Sequence, residues 1–457
     1  MSGRTNAARL SPEERLKSFE EIEKTLTPVQ ATIEASRCLM CEDPPCSKGC
    51  PAGIDIRGFV RKIRFNNPWG AVRVLREANI FSGVCGRVCP TDALCEEQCR
   101  SQVLTEPINI GALQRFLTEF EAERGARTRV VAEKLPHRVA VVGGGAAGLA
   151  AANELALLGY TVTVFEASSQ LGGAMTAAIP SFKLPNSAVE TETDLIRRLG
   201  VEFKLNTALS EDLTIDDLFE QGYEAIFVAI GLQKPFTLGV EGENLEGVYS
   251  ALDLLAEANG LRASKPVKVG RRVVVVGGGS VAVNVACSAL RMGAQRATLV
   301  CLEAPDEMPA FAEDVELAWE EGIEFVTRIR PVRFLQNGKG SVAGFEGVRI
   351  EWKEPGRFVP ENAIDVKGSA LTLPCDTAIV AIGQGPDDNA IKQFQSLETN
   401  VRGYLLVDED TLMTSRPGVF AGGDVLHNPI SRTVVQAVAY GKRAAHSIHD
   451  YLSKANQ

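Results

Sequence analysis

Eight of the eleven cysteines in this chain of 457 residues lie in two short runs within the first hundred positions. The first run, at residues 38–50, has the spacing Cys-x2-Cys-x4-Cys-x3-Cys-Pro. The second run, at residues 85–99, has the spacing Cys-x3-Cys-Pro-x4-Cys-x3-Cys. Cysteine thiolates grouped this densely, each group with a Cys-Pro pair, are typical ligands of iron–sulfur clusters. The two runs therefore predict two clusters in an N-terminal domain.

Zinc and disulfide bonds are the alternatives for these cysteines. A structural zinc site usually shows two closely spaced cysteine pairs or histidine ligands. This chain has one Cys-x2-Cys pair, formed by Cys38 and Cys41, and its first histidine is His137. Thiols of an intracellular protein stay reduced, which favours metal binding over disulfides. Iron–sulfur clusters are the favoured interpretation, with zinc and disulfides left open.

The bulk composition is ordinary for a globular chain, with 45% hydrophobic residues, 23% charged residues and a net charge of -10. The negative charge argues against binding to nucleic acid or to an anionic membrane surface. No run of about 18 apolar residues is present, so we expect no segment that spans a bilayer. The N-terminus lacks the apolar part of a secretory signal, and we expect a cytoplasmic protein with about three domains.

A glycine-rich loop at residues 143–148 follows a predicted strand, Arg138–Val142, and opens a predicted helix over residues 147–158. A second predicted strand, over residues 160–165, ends beside Glu166. Glycines in this pattern let the backbone approach a pyrophosphate at the helix N-terminus, and an acid about 20 residues on binds a ribose hydroxyl. The pattern predicts a dinucleotide site, the alternative being a tight turn without a ligand.

The same pattern recurs at residues 277–282, after a predicted strand Arg272–Val276 and before a predicted helix over residues 282–292. A further predicted strand, over residues 297–302, ends beside Glu303. Alanine at the third glycine position still allows close packing of helix against strand. Hydride transfer needs a donor and an acceptor, so two such sites suggest one flavin and one nicotinamide coenzyme.

These features predict an α/β protein in which a helical iron–sulfur domain precedes two Rossmann-like dinucleotide-binding domains. We expect the helical domain over residues 1–135, with helices starting near Ser11, Thr27, Asp55 and Asn67. Similar strand ends at residues 226–231 and 379–383, and a strand entering Asp424, indicate that the flavin domain resumes late in the chain. We therefore predict a flavin domain over residues 136–250 and 376–457, interrupted by a nicotinamide domain over residues 251–375.

Four further motifs belong with these features: Leu-Gly-Gly at 171–173, Ile-Pro-Ser-Phe-Lys-Leu-Pro at 179–185, Glu-Met-Pro at 307–309 and Gly-Gly-Asp at 422–424. With them, the chain resembles over nearly its whole length the iron–sulfur flavoprotein family of the glutamate synthase small subunit and the N-terminal half of dihydropyrimidine dehydrogenase. Within that family it is most similar to the flavin subunit of the two-subunit bacterial dihydropyrimidine dehydrogenase. The resemblance implies FAD, two [4Fe-4S] clusters and a nicotinamide coenzyme.

Counting thiols along the chain would give each run its own cluster, but the resemblance implies a crossed set of ligands. In that set Cys85 holds neither cluster. Gln114 would be a neutral ligand, which raises the reduction potential of its cluster relative to four thiolates, and an ordinary helix-face residue is the alternative. The implied ligands are Cys38, Cys41, Cys46 and Cys99 for one cluster, and Cys50, Cys89, Cys95 and Gln114 for the other.

The resemblance also implies which residues contact the dinucleotides. No acid, base or nucleophile of the protein is expected in catalysis, because FAD and NAD carry the chemistry. For FAD the residues are Gly143, Gly145, Gly148, Glu166, Gly173, Ala174, Lys183, Gly423, Asp424, Thr433 and Val434. For NAD they are Gly277, Gly279, Ser280, Val281, Glu303, Ile382 and Gly383. A solvated surface lysine is the alternative for Lys183.

Two positions in the nicotinamide domain differ from members of the family that use NADPH. Those members usually have two arginines there, which bind the 2′-phosphate, whereas this chain has Leu302 and Glu303. A carboxylate repels phosphate and suits the 2′-hydroxyl of NAD. We therefore expect NAD(H), with Arg328 or Arg330 as residues that could bind a phosphate from elsewhere.

Together these inferences predict a subunit that exchanges hydride with NAD(H) and passes electrons from FAD through the clusters to a separate catalytic or ferredoxin-like subunit. The best candidate for the complete enzyme is of the dihydropyrimidine dehydrogenase type. The alternatives are a glutamate synthase, a ferredoxin-linked NAD(P) oxidoreductase, and a molybdenum or tungsten oxidoreductase. A disulfide reductase is disfavoured because Cys287, Cys301 and Cys375 are each isolated, and a redox sensor would show negligible NADH turnover.

Overall fold

The computed structural model describes residues 3–127, 129–210, 213–261, 263–387, 392–394, 396–427 and 432–454. A helical N-terminal domain is followed by two parallel sheets with helices packed on them, which confirms the predicted architecture. Both strand–loop–helix units are present at the predicted places. In the described residues no helix combines the length and apolar character needed to cross a bilayer.

Short helices form the N-terminal domain, and the capping residues predicted from the sequence begin them. Ser11 and Thr27 each form a capping box in front of a proline. Asp55 and Asn67 each accept the N–H of the third residue of their helix. The helices are α1 Pro12–Arg15, α2 Pro28–Ser36, α3 Pro45–Lys48, α4 Ile56–Arg64, α5 Pro68–Ala78, α6 Ser82–Val88 and α7 Ile110–Arg124.

The first parallel sheet contains the loop at residues 143–148, between its central strand and the helix that follows. Its order is β15-β4-β1-β2-β3, so the edge strand β15, from after a long insertion, pairs with β4, from before it. The elements before the insertion are β1 Arg138–Val142, α8 Ala146–Leu157, β2 Thr161–Phe165, α9 Ala174–Ala177, α10 Asn186–Arg197, β3 Glu202–Lys204, α11 Ile215–Glu220 and β4 Ala225–Val228. Those after it are β15 Val419–Ala421 and α15 Val434–Lys454.

The second parallel sheet, of order β6-β13-β7-β8-β9, lies within the insertion. Strands β6 and β13 both pair in this sheet, although they fall on the flavin side of the boundaries predicted at residues 250 and 376. Strand β8 of this sheet ends at Val300, two residues before the end predicted at residue 302. The elements are β6 Val248–Ser250, α12 Ala251–Ala258, β7 Arg272–Val276, α13 Ser280–Arg291, β8 Arg296–Val300, α14 Ala312–Glu320, β9 Glu324–Val326 and β13 Thr377–Val380. Two short strands, β5 Lys234–Pro235 and β14 Gln384–Gly385, form a separate antiparallel pair.

An antiparallel sheet between β9 and β13 was not anticipated from the sequence. Its strands are β10 Ile329–Gln336, β11 Val342–Trp352 and β12 Ala363–Pro374. The middle strand pairs with both others, and Phe334 and Phe345 form an aromatic pair with centroids 5.9 Å apart. This sheet packs beneath the second parallel sheet through Val274 and Val300.

The last helix, α15, links the flavin loop to the iron–sulfur domain. It lies so close to α8 that a Cβ at Gly441 would be 2.1 Å from the carbonyl oxygen of Ala147. Phe81 and Val84, at the start of α6 in the helical domain, belong to the same buried cluster as the first sheet. The N-terminus of α15 is therefore held where the loop at residues 143–148 and the second cysteine run meet.

Candidate functional site

The first group of thiols combines residues from both cysteine runs. Burial raises the pKa of Cys46 to about 12, with further increases from the neighbouring thiols of Cys99 and Cys38. Burial is also the main cause of the raised pKa of Cys38, and Cys99 and Cys41 add to it. Cys38, Cys41, Cys46 and Cys99 therefore lie within electrostatic range of one another. The link to Cys99 joins the two cysteine runs, as the ligand set implied by the resemblance does, and Cys46 also acts on the Cys95 thiol.

The second group lines a cavity between α6, α7 and the N-terminus of α15. Cys50, Cys89, Cys95 and Gln114 all face this cavity, and so does Val435. The Gln114 side-chain oxygen is buried and accepts no hydrogen bond from any residue that the structure describes. A buried carbonyl oxygen without a donor is costly, and a metal ion in the cavity would be a partner for it. The three thiols and this amide fit a cluster with one neutral ligand.

Cys85 lines the same cavity but has a partner of its own. The Asn79 side-chain N–H donates to Cys85 Sγ at 3.2 Å. A hydrogen bond with Cys85 is the main reason why the pKa of Cys89 is raised, followed by burial. Cys85 therefore accepts a hydrogen bond from Asn79 and interacts with the Cys89 thiol.

Neither group converges on a single ion. Among the described residues, no three His, Cys, Asp or Glu side chains come close enough to hold one metal ion. Thiolates around one zinc ion would lie within about 4 Å of each other, since each Zn–S bond is about 2.3 Å.

The loop at residues 143–148 has the geometry needed to approach a dinucleotide. Gly143 has φ +110°, and a Cβ there would be 2.4 Å from the Ala229 carbonyl oxygen. A Cβ at Gly148 would be 1.9 Å from the Gly143 carbonyl oxygen. A Cβ at Gly145 would meet nothing nearer than 4.0 Å, so the loop is open on the side where the pyrophosphate is expected. These residues fit the phosphates of a bound FAD.

Glu166 is held at the edge of this loop. Its carboxylate accepts the Gly144 N–H at 2.7 Å and the Ser168 N–H at 2.7 Å. Gly173, at the start of α9, lies against the loop, since a Cβ there would be 3.0 Å from the Gly145 Cα. The structure therefore brings Glu166, Gly173 and, by sequence adjacency, Ala174 to the predicted flavin site.

The C-terminal part of the predicted flavin site reaches the same place. A Cβ at Gly423 would be 3.0 Å from the Ala147 Cβ, at the start of α8. The neighbouring Asp424 is half-buried, and burial raises the pKa of its carboxyl. Thr433 caps α15, whose first residue is Val434, by accepting the Gln436 N–H at 3.3 Å.

Lys183, which was predicted to contact FAD, is paired with a carboxylate of the second dinucleotide unit. Its ammonium forms an ion pair with Asp314 on α14, in the second parallel unit. The neighbouring Phe182 stacks under the Arg291 guanidinium, 4.0 Å from its ring centroid. In this arrangement Lys183 joins the two dinucleotide units.

The second loop repeats the geometry of the first. Gly277 has φ +143°, and a Cβ at Gly279 would meet nothing within 4 Å. A Cβ at Gly278 would be 2.7 Å from Glu303 Oε2, just as one at Gly144 would be 3.0 Å from Glu166 Oε2. Burial raises the pKa of Glu303. The two acids therefore take equivalent positions beside their loops.

The remaining predicted nicotinamide residues surround this loop. Ser280 Oγ accepts the Phe311 N–H at 3.0 Å, and Val281 follows it in the first turn of α13. Ile382 and Gly383 come directly after β13, the strand that pairs with β7, and Gly383 has φ +104°. They therefore lie at the carboxyl edge of the sheet, where ligands of such folds bind.

Arg328 and Arg330, considered as phosphate-binding alternatives, are both paired. Arg328 Nη2 lies 2.5 Å from Glu307 Oε1, and Trp352 Nε1 donates to the same carboxylate at 3.1 Å. Arg330 Nε lies 3.3 Å from Asp365. Neither guanidinium is available to a phosphate in this conformation.

Lys442 and Glu192 were missed in the sequence. Lys442, on α15, donates to the carbonyl oxygens of Ala52 at 3.1 Å and Ala78 at 2.5 Å. Burial lowers its pKa, and Cys50 is among the groups that act in the opposite direction. Val438 and Lys442 are four residues apart and therefore lie on the same side of α15. A lysine on the apolar side of this helix was the signal that the sequence offered.

Glu192, on α10, reaches across to the helical domain. It accepts the N–H groups of Gly83 at 2.8 Å and Val84 at 3.0 Å, and it pairs with Arg76. These bonds fix the N-terminus of α6, which ends one residue before Cys89. Nothing in the sequence around position 192 marks it, because its partners are far away along the chain.

Comparisons with known proteins agree with this geometry. Residues 137–441 match the family described as pyridine nucleotide-disulphide oxidoreductase. Residues 15–126 match the family described as dihydropyrimidine dehydrogenase domain II, 4Fe-4S cluster. The structure of Mycobacterium tuberculosis FprA in complex with NADPH has a TM-score of 0.58 at 17% identity, over 70% of this chain and 86% of that one, which supports the fold.

Three relatives illustrate the range of the sequence matches. The beta subunit of an NADP(+)-dependent formate dehydrogenase from Moorella thermoacetica is 38% identical over 89% of this chain, which spans only 60% of that relative. The small chain of Escherichia coli glutamate synthase [NADPH] is 33% identical, over 95% of this chain and 94% of the relative. The E. coli NAD-dependent dihydropyrimidine dehydrogenase subunit PreT is 34% identical, over 96% and 98%.

The matches and the two loops confirm the resemblance noted from the sequence, together with its cofactors: FAD, [4Fe-4S] clusters and a nicotinamide coenzyme. The chain belongs to the pyridine nucleotide-disulphide oxidoreductase family and is an NAD(P)-dependent iron–sulfur flavoprotein that transfers electrons.

Proposed function

We propose that this protein is the NAD(H)-linked electron-input subunit of a reductase of the dihydropyrimidine dehydrogenase type. The observation that carries this proposal is the Gln114 oxygen without a donor in a cavity lined by Cys50, Cys89 and Cys95. The same cavity includes Val435, in the first turn of α15, whose N-terminus borders the flavin site. The second cluster site and the flavin site are therefore neighbours.

The residues of the chain would divide the work among three sites. Cys38, Cys41, Cys46 and Cys99 would hold the outer cluster, and Cys50, Cys89, Cys95 and Gln114 the inner one. The glycine loop at 143–148 and Glu166 would bind FAD. When bound, FAD accepts a hydride and releases its electrons singly, and the clusters carry them onward. The protein's own contribution is to position these groups and to keep water from the inner cavity.

NAD(H) is the proposed coenzyme because of the acid beside the second loop. Glu303 stands where Glu166 stands in the first unit, next to the site of a ribose hydroxyl. Its carboxylate would repel a 2′-phosphate. Arg328, the nearest guanidinium to this position, is occupied by Glu307.

A partner chain would supply the final chemistry. The relative PreT is named as a subunit of an NAD-dependent dihydropyrimidine dehydrogenase, and the ligand set that includes Gln114 is the one implied by the resemblance to that family. A second candidate is electron exchange with a formate-oxidising chain, supported by the 38% identity to the formate dehydrogenase subunit.

Anaerobic affinity purification from the native cell, followed by mass spectrometry, tests the proposal. We expect an FMN-binding, pyrimidine-reducing chain to co-elute, and NADH oxidation by the complex to depend on uracil. Co-elution of a formate-oxidising chain, with NAD reduction that depends on formate, would replace the first candidate by the second. Co-elution of a large amidotransferase would instead indicate a glutamate synthase.

A further inference from the structure

Helix α4 carries a row of basic side chains on its exposed face. Arg57, Arg61 and Arg64 are spaced by four and three residues, so they lie along one side of the helix, and Lys62 lies beside them. The opposite side is buried in the core of the helical domain. We call the residues Arg57, Arg61, Lys62, Arg64 and Phe65 the α4 surface.

The α4 surface lies against the first cysteine group. Arg57 Nη1 donates to the carbonyl oxygens of Cys41 at 2.9 Å and Glu42 at 3.0 Å. Cys38, Cys41 and Cys46 are themselves only partly buried. The α4 surface therefore borders the place where the outer group of thiols comes nearest to solvent.

Arg57 is used within the protein, whereas the other basic side chains of the α4 surface have no acidic partner among the described residues. In the described part of the chain no carboxylate lies within ion-pair distance of Arg61, Lys62 or Arg64. Asp43, two residues after Cys41, already has a partner, because its carboxylate lies 2.5 Å from the Lys48 ammonium. Basic residues in the last turn of a helix complement its dipole, but Arg57 lies in the first turn, where a cation is unfavourable. The dipole therefore does not account for the whole row.

Apolar side chains are exposed on the helical domain, one of them at the end of α4. Phe65 directly follows α4 and is 72% exposed, and Val103, four residues after Cys99, is 83% exposed. A small apolar area bordered by charges is the composition of a transient protein interface. Complexes between redox proteins are typically small and depend on electrostatic attraction for fast, oriented encounter.

We propose that the α4 surface is the docking site of an acidic electron-transfer protein. The inference rests on the proposed function, because the outer cluster would be the point of exchange. The chain has a net charge of -10, so an acidic partner is repelled by most of the molecule and attracted by this local basic area. Charge complementarity would thus orient the partner toward the outer cluster.

Binding of the oxidised holoprotein to a strongly acidic [2Fe-2S] ferredoxin, measured by isothermal titration calorimetry, tests this. The variant is Arg61→Glu with Arg64→Glu, and the matched control is Lys339→Glu with Arg349→Glu, which changes the net charge equally on the antiparallel sheet. We expect the α4 variant to raise the dissociation constant about tenfold or more, and the control to change it less than about twofold. Arg61→Lys with Arg64→Lys should bind like the wild type.

Salt and a second probe complete the test. Wild-type binding should weaken as salt rises from about 0.02 M to about 0.2 M, because the Debye length shortens, and the α4 variant should lose this dependence. Equal weakening by the control pair would overturn the docking site, as would tighter binding of a basic cytochrome c. Binding of the protein to anionic lipid vesicles, without binding to ferredoxin, would also overturn the docking site.

A separate readout distinguishes failure of this inference from failure of the proposed function. NADH should reduce the flavin of the α4 variant at the wild-type rate, and iron and flavin contents should match the wild type. If NADH does not reduce the wild-type flavin, the proposed function fails, whatever the ferredoxin binding shows. If NADH reduces the flavin but the α4 variant binds ferredoxin normally, the docking site alone is wrong.

Discussion

At position 114 a neutral side chain faces a cavity that is otherwise rich in thiols, and its oxygen has no donor among the described residues. If this oxygen binds the inner cluster, Gln114→Cys adds a negative charge to it. We expect the midpoint potential of one cluster to fall by on the order of 100 mV, and that of the other to stay unchanged. A redox titration followed by electron paramagnetic resonance measures both potentials.

Two further variants serve as controls for this prediction. Gln114→Leu should remove the inner cluster and roughly half of the iron, because no other oxygen replaces the ligand. Cys85→Ala should keep the full iron content, because Cys85 lies outside the ligand set that the resemblance implies. Loss of iron in Cys85→Ala, with none in Gln114→Leu, would contradict the crossed set of ligands.

Glu303 provides the second test at the level of one residue. Glu303→Arg removes the carboxylate that would repel a 2′-phosphate and adds a guanidinium that can bind it. We expect the ratio of kcat/KM for NADPH over NADH to rise about a hundredfold. Steady-state kinetics with an artificial acceptor measure it, and a wild-type preference for NADPH would refute the assignment.

Single residues also mark what the sequence could and could not predict. The glycines at 143 and 277 were identifiable because their loops need positive φ and close approach, which are local requirements. The proposed assignment of Cys99 and Cys38 to one cluster is different, since it depends on how helices pack. Spacing along the chain suggested another grouping, and only the resemblance gave this one.

Among the elements, α6 depends on an acid from another domain. Glu192, on α10, accepts two N–H groups at the start of α6 and pairs with the buried Arg76. Glu192→Gln removes this charge and leaves Arg76 with Glu121 at 2.8 Å. We expect a loss of about 2–3 kcal/mol in the stability of the helical domain, since removing one member of a buried pair is costly.

The loss should be measured as the temperature at which the cluster absorbance disappears, compared with that at which the flavin is released. Because the chain has several domains, the two transitions need not coincide. Glu190→Gln, an exposed position on the same helix, is the matched control and should leave both temperatures unchanged. A Glu192→Gln protein that retains its clusters like the control would show that α6 does not need this cap.

The elements also divide into those that the sequence predicts and those that it does not. Helices α2, α4 and α5 begin at the predicted capping residues, since a cap is decided within four positions. The antiparallel sheet was missed because its pairing joins distant segments, and most of β12 alternates between exposed and half-buried residues with little apolar signal. The same non-local pairing places β6 and β13 in the second sheet.

At the scale of the whole molecule, the segment before α2 connects all three units. Arg4 pairs with Glu96 of the helical domain at 2.6 Å, and the Ile22 N–H donates to the Phe182 carbonyl at 2.9 Å. Arg15 lies 2.5 Å from Glu320, on α14 of the nicotinamide unit. Lys183 adds a direct ion pair from the flavin unit to the same helix. These contacts oppose separation of the two dinucleotide units.

The Arg15–Glu320 contact gives a prediction about this segment. Arg15→Ala should speed hydrogen exchange of residues 10–26 by about fivefold at most, because Glu320 is partly exposed and such a pair contributes up to about 1 kcal/mol. Mass spectrometry of the exchanged protein measures this.

The hydrogen bond from Arg15 is the main reason why the pKa of Glu320 is lowered from 4.5. A lowered carboxyl pKa stabilises the fold above 4.5 and ceases to do so as the pH falls through the lowered value. Between about pH 6 and 8 the protection, corrected for intrinsic exchange, should therefore be constant in the wild type, and a change across that range would mean that another group holds the segment.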